Sequence, residues 1–506
     1  MSRFLTRILF PLLACALSAG EVFATWSIVV LDKRTGEVCV ASATCLPNLN
    51  LQTLVPVVVP GVGAAAAQSA GDLFGTNRRR IWDGLRAGQS PEVILDALAN
   101  LDGGHQSRQY GIVRFDADPL TFSGTSVGFA KRGIAGTAGD LVFAIQGNLL
   151  TGGAVVNAAR NALRDTEGHL SVRVMAAMEA AASRGGDGRC SCSTFGPTSC
   201  GVPPPNFQFS AYTGFLVLAR PGDSLGSCAV GPGCANGNYF LELNVVSNLG
   251  GVEPVEELRR QFDAFVDARR FLIDEYETTV EPTATALVAD GRSSSIVKLR
   301  LRNIGGDDLI PAFATDVQVE QIAGPMIATL GEPGAHGVNR FGFKLTATEL
   351  PGTATYRITL RQGTREVVLA PDLVVRSDAV APLHVGRDSW PVADGGRIPF
   401  TLNVPEAAGR SYLLFGSATG TSPGTPFGDV LLPLNRDRVL AATLKHSGAG
   451  RLPGGVLDDD GHDETELVLT PNLLWRWRGL RLHWAAVILG EPRGVTNAVG
   501  FDVLLP

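Results

Sequence analysis

The chain opens with a leader that ends in Val22-Phe23-Ala24 and runs without a break into TWSIVVLD, so its first strand begins at a threonine, Thr25. Arg3 and Arg7 give the leader a positive start. Ile8 to Ala19 is mostly apolar but too short to span a bilayer comfortably, and Val22 and Ala24 suit the subsites of a processing peptidase. Cleavage after Ala24 is therefore expected, with a secreted, periplasmic or cell-surface location. A rival reading takes Leu12-Leu13-Ala14-Cys15 as a lipoprotein box with an acylated Cys15, at the cost of cutting the apolar run short. On the first reading Thr25 becomes a free N-terminus. Such a residue carries a hydroxyl nucleophile and, on the same residue, an amine that can act as its base. The plain alternative is a β-branched residue that starts a strand.

Downstream, TWSIVVLD (25–32), a turn at Lys33-Arg34-Thr35-Gly36 and EVCVASATC (37–45) predict a hairpin whose first strand starts at that threonine. LVPVVV (54–59) and AAAAQSA (64–70) follow as strands. Apolar periodicity then predicts helices over 73–87 and 91–101. YGIVRFDA, DLVFAIQGN, AYTGFLVLAR (211–220) and YFLELNVV (239–246) read as strands, and 154–163 and 170–183 as helices. A long amphipathic helix is expected over 255–276, with Leu258, Phe262, Phe265 and Phe271 as its apolar stripe. Periodicity alone gives an α+β class.

The pieces TWSIVV, GEVCVASA, PGVGAAAAQSA (60–70), AIQGNLLTG (144–152), GGD (185–187) and PVEELRRQFD (254–263) occur in an order that resembles the DUF1028 family, of uncharacterised function and placed within the Ntn-hydrolase superfamily. The resemblance runs from Thr25 to about Arg270. It implies a four-layer αββα Ntn-hydrolase sandwich and an amidohydrolase in which the Thr25 hydroxyl attacks an acyl carbon while its α-amine, with a pKa near about 8, takes the proton. Asn148 is the expected oxyanion donor, with Gln146 on the same strand face. Asp187 is expected to steady the ammonium form of Thr25, and Gln68, Ser27 and Thr44 to complete the polar shell. One departure stands out: proteasome-like members place a lysine beside the threonine, and Ala41-Ser42-Ala43-Thr44-Cys45 contains none.

Composition fits a multidomain exported protein. The chain has 506 residues, 45% of them hydrophobic, and its net charge of -6 gives no reason to expect nucleic-acid binding. Without Cys15, seven cysteines remain, Cys39 and Cys45 on the second strand and Cys190, Cys192, Cys200, Cys228 and Cys234 clustered. In an oxidising compartment they are expected to form disulfides, with at least one left over. Cys39 and Cys45 lie roughly 20 Å apart along a regular strand and cannot pair with each other, so bridges within the later cluster are favoured. Zinc at Cys190-Ser191-Cys192 is the rival; the Cys-x-Cys spacing and the lack of a nearby histidine oppose it. No cofactor and no metal are expected.

After Glu281-Pro282 the character changes to β-rich runs between Gly, Pro and Asp turns. ALVADGRSSSIVKLRLRNIGG (286–306) resembles the start of an invasin-type bacterial Ig-like domain. The expected division is a signal peptide at 1–24, the Ntn-like domain at 25–276, an Ig-like β-sandwich at 282–378 and a second all-β sandwich domain at 380–506. Asp458-Asp459-Asp460-Gly461-His462-Asp463 is read as an acidic hairpin turn rather than a calcium loop, Trp475-Arg476-Trp477-Arg478 as an element with one buried aromatic face, and His105 as a loop histidine.

Two functions follow. One is a secreted Ntn amidohydrolase acting on an amide or peptide substrate, with cell-wall material as a candidate. The other is a non-catalytic surface-display or adhesion protein with an inactive Ntn scaffold. No transmembrane segment is expected, and the sequence leaves the oligomeric state open.

Overall fold

The structure is a computed structural model that describes residues 22–504 apart from 24, 71, 73, 248–250, 311, 312, 315, 336–339 and 447–453. The expected leader, residues 22 and 23 excepted, therefore lies outside the described residues. The chain divides into two compact units, Met1–Ala268 and Arg269–Pro506.

In the first unit, strands β1 (Val22–Phe23), β2 (Thr25–Asp32), β3 (Val38–Thr44), β4 (Pro56–Val59) and β5 (Gly63–Ala70) precede helices α1 (Thr76–Arg86) and α2 (Pro91–Leu101). Then come β6 (Arg108–Arg114), β7 (Ala117–Ser123), β8 (Arg132–Ala138), β9 (Leu141–Asn148), α3 (Ala154–Asp165), α4 (Leu170–Ala182), α5 (Gly188–Ser191), β10 (Thr213–Ala219), β11 (Leu241–Val245) and α6 (Pro254–Ala268). One sheet has the order β1-β5-β6-β7 with β4 also on β5, and the other the order β11-β10-β3-β2-β9-β8.

The unbroken apolar run of β2 is explained by burial on both faces. Ile28 and Val30 face a core shared with Val174 and Met178 of α4 and Leu258 and Phe262 of α6. Val29 and Leu31 point the other way and meet Val58, Ala64, Ala66 and Val113 of the second sheet. The far face of that sheet, through Val57, Ala65 and Ile112, is covered by Ile81 and Leu85 of α1 and Ile94 and Leu98 of α2. The class is thus α+β, as expected. RGIAGTA of β8 and the short α5 are elements that periodicity did not single out.

Two expectations are corrected. The helix expected over 255–276 ends at Ala268. Its stripe runs Val255, Leu258 and Phe262 and then Phe265 and Val266, which pack on the same core; one turn further the face falls on Arg269 and Arg270, so nothing apolar is left to bury, and Phe271 is 54% exposed. Disulfides join Cys192 to Cys200 and Cys228 to Cys234 within the later cluster, but the third joins Cys190 to Cys45 on the end of β3, leaving Cys39 buried and unpaired. Chain folding had to bring residues 45 and 190 together, which spacing cannot reveal. His105 is a buried histidine whose ring stacks 4.2 Å from that of Phe122.

The second unit is all-β apart from one helix, Arg438–His446, and short 3₁₀ turns among the described residues. Ser294–Arg300 and Phe341–Ala347 centre one sheet, Gly352–Gln362 and Leu373–Asp378 another, and the two share a core of Val297, Leu299, Tyr356 and Ile358. Gly396–Asn403 with His462–Leu469, and Arg481–Ile488 with Ser411–Ser417, lie in a second pair of sheets around Phe400, Leu402, Leu414 and Trp484. The acidic run forms a turn in which Asp458 Oδ1 accepts from the backbone nitrogens of Asp460 (3.0 Å) and His462 (2.7 Å). Trp477 packs on the core while Trp475 is 46% exposed.

Candidate functional site

On the face of β2 and β9 that meets the other sheet, apolar residues give way to polar ones toward one end. Val29 and Leu31 are followed by Ser27 and Thr25, and Val142 and Ala144 by Gln146 and Asn148. Antiparallel register sets Thr25 opposite Asn148 and Ser27 opposite Gln146. The opposing sheet answers with Gln68 of β5 and Gln109 of β6, themselves paired in register. All six are buried.

A continuous network results. Gln68 Nε2 donates to the Thr25 carbonyl (2.8 Å) and to Gln109 Oε1 (2.7 Å). Ser27 Oγ donates to Gln68 Oε1 and lies 2.9 Å from Ser42 Oγ, which donates to the Trp26 carbonyl. Gln109 Nε2 donates to Ser123 Oγ (2.8 Å) and the Gly147 carbonyl (3.0 Å). Asn148 Oδ1 accepts from Thr25 N (3.1 Å), while its Nδ2 donates to Ser69 Oγ (3.1 Å) and the Val127 carbonyl (3.0 Å). Neither side-chain polar atom of Gln146 has a hydrogen-bond partner among the described residues.

Asp187 lies at the N-cap of α5, wholly buried, and its carboxylate accepts from the backbone nitrogen of Cys45 (2.8 Å) and from Arg189 Nε (3.1 Å) and Nη2 (2.8 Å). Burial pushes its pKa up, and the Arg189 and Cys45 contacts oppose this without cancelling it. Arg189 Nη2 also lies 3.5 Å from Thr44 Oγ1. Asp187, Arg189 and the Cys45–Cys190 bridge thus pin the end of β3 to α5. Thr25, Ser27, Gln68 and Asn148 meet in one network; Gln146 is beside it without a bond, and Thr44 meets Asp187 at Arg189. Ser42, Ser69 and Gln109 belong to the network but were not foreseen. Period-two alternation in RQYGIVR, which puts Gln109 on the face of Gly111 and Val113, could have found the last.

This geometry corrects the expectation of an Ntn-type amidohydrolase with an N-terminal threonine nucleophile. Thr25 is 0% exposed, and its nitrogen donates to Asn148 Oδ1. Asn148, expected to aim a donor at an oxyanion, has its amide group turned to protein carbonyl, hydroxyl and N–H partners instead. The hydrolase and N-terminal-threonine readings fall together, and with them the support for an amide substrate. Among the described residues no group of three or more His, Cys, Asp or Glu could hold a metal ion. None of their helices is long and apolar enough to cross a membrane. The three disulfides fit an extracellular or cell-surface location.

Among curated proteins nothing matches the chain. Solved structures similar to it include protein SPO2555 of Silicibacter pomeroyi, itself assigned to DUF1028, at 18% identity over 48% of this chain and 85% of that one, with a TM-score of 0.36. The Yersinia pseudotuberculosis adhesin InvE is 17% identical over 45% of this chain and 59% of its own, with a TM-score of 0.18. The Escherichia coli adhesin FdeC is 11% identical over 94% and 96%, with a TM-score of 0.19. Residues 25–195 match the family model described as "Family of unknown function (DUF1028)", a shorter stretch than the motifs had suggested. The first unit of this chain therefore carries a DUF1028-family domain.

Proposed function

We propose that this is an exported surface-display or adhesion protein whose first unit is a non-catalytic, disulfide-bonded scaffold and whose second unit presents a binding surface. The observation that carries the reading is how the two sheet pairs of the second unit are joined. The backbone nitrogens of Thr285 and Ala286 both donate to the Gly386 carbonyl (3.0 and 3.1 Å). Arg376 bridges Asp378 (2.6 Å) and Asp388 (2.5 Å). A Cβ at Gly386 would meet Pro399 Cγ at 2.6 Å and Ala284 Cβ at 3.0 Å, so the backbones touch where only glycine fits. Modules linked this closely behave as one stiff body, unlike the loose interfaces that are the default between domains. Stiffness suits spacing and display.

In finer detail, the reading takes residues 25–276 as a four-layer αββα scaffold, 282–378 as an Ig-like sandwich and 380–506 as a second sandwich. The shared cores described above support it. The test is protease shaving of intact expressing cells, together with adhesion of beads coated with the full chain. Surface cleavage and bead adhesion are expected. Protein that stays protected from external protease, or amide turnover that disappears in Thr25→Ala, would refute the reading.

A further inference from the structure

Between the two sheet pairs of the second unit lies a cavity of about 560 Å³. That is within the roughly 300–1,000 Å³ range of small-ligand sites. Its chemistry is unlike a structural void. Four cationic side chains, Lys298, Arg340, Arg387 and Arg397, and three anionic ones, Glu281, Asp394 and Glu466, line it together with apolar surface from Val280, Pro282 and Pro399.

Most of these groups are already oriented. Arg340 pairs with Glu281 (3.1 Å) and Arg397 with Glu466 (2.6 Å), so each wall presents a guanidinium beside a carboxylate. Arg387 is anchored at the bottom through donation to the Pro282 and Thr283 carbonyls. Lys298, set in register opposite Glu281, has no hydrogen-bond or ion-pair partner among the described residues.

Paired guanidinium and carboxylate groups offer donors and acceptors side by side, the arrangement that satisfies hydroxyls that both donate and accept. The apolar surface suits the C–H face of a pyranose ring. Four cations against three anions leave one net positive charge, and with Lys298 uncommitted the cavity calls for one negative charge. Resting on the adhesion reading above, we infer that this cavity binds an acidic oligosaccharide, its hydroxyls on the Arg340–Glu281 and Arg397–Glu466 pairs and its carboxylate on Lys298.

Calorimetric titration of the full chain with a galacturonate trisaccharide, its neutral galactose counterpart and a triglutamate peptide tests the inference. One galacturonate trisaccharide should bind per chain, about tenfold or more tighter than the neutral sugar, as expected for one charge-assisted hydrogen bond. Lys298→Ala should erase that preference while the neutral sugar still binds, and Lys298→Arg should keep it. Unchanged thermal unfolding of both variants will show that the fold is intact. The inference is overturned if neither sugar binds, if triglutamate binds as tightly as the acidic sugar, or if Lys298→Ala leaves the discrimination intact. Display on cells is measured separately, so either reading can fail alone.

Discussion

Breaking the Cys45–Cys190 bridge should destabilise the first unit more than breaking either of the other two. It closes a loop with a sequence separation of 145, against 8 for Cys192–Cys200 and 6 for Cys228–Cys234. On the chain-entropy estimate, closing the long loop contributes about 5 kcal/mol at 25 °C and each short loop about 2.5 kcal/mol. The long bridge also ties β3 to α5 beside the buried Asp187 carboxylate, which holds the Cys45 backbone nitrogen and Arg189. Losing about 5 kcal/mol in a unit of this size lowers its melting temperature by about 10–20 °C, and losing about 2.5 kcal/mol lowers it by about 5–10 °C. The assay is scanning calorimetry of the oxidised full chain at neutral pH. It compares Cys45→Ala/Cys190→Ala with Cys192→Ala/Cys200→Ala and Cys228→Ala/Cys234→Ala, following the transition of the first unit. If the long-bridge variant melts no lower than the Cys228→Ala/Cys234→Ala protein, loop closure is not what this bridge supplies.

Three further outcomes are expected. Glu37 is buried with His169 Nε2 at 3.0 Å and Arg220 Nε at 2.9 Å; burial raises its pKa, but the two partners outweigh it and the net shift is downward. A depressed folded-state pKa contributes stability above the unfolded value and loses it as pH falls through the folded value, so acid unfolding of the first unit should be shallower in Glu37→Gln, which should also cost about 3–5 kcal/mol at neutral pH by removing the buried negative charge that faces Arg220; urea titrations between pH 2 and 7 measure both. Gln146→Leu, which removes an unpartnered carboxamide, should be neutral or stabilising, whereas Gln68→Leu, which strips partners from the Thr25 carbonyl, Gln109 and Ser27, should cost about 1–3 kcal/mol or more by equilibrium unfolding. Gly188→Ala would set a Cβ 2.2 Å from the Pro197 carbonyl oxygen and should cost about 1–3 kcal/mol, while Gly153→Ala, with its nearest neighbour at 4.0 Å, should melt like the parent.

Local pattern settled much of this protein. The boundaries of α2, predicted at 91–101, follow from Ser90 as N-cap, Pro91 at the first turn and an apolar stripe ending at Leu98. The double-faced apolar run TWSIVVLD specified a strand covered on both sides, because alternate residues need separate cores. Period-two alternation places Thr25 with Ser27 and Gln146 with Asn148 on one face whatever the sheets do, and Thr25, Ser27, Gln68 and Asn148 share one buried network, whereas Asp187 and Thr44 meet at Arg189. Tertiary structure alone decided what those groups do. Thr25 N and Asn148 are 123 residues apart, and only the register of β2 on β9 turns them toward each other as donor and acceptor instead of leaving both for a substrate. The same holds for Cys45 with Cys190, and for the cavity of the second unit, whose charged walls come from strands far apart in sequence. Short-range patterning reports which face a residue takes; which atoms meet on that face depends on long-range packing, and the chemistry follows from the meeting.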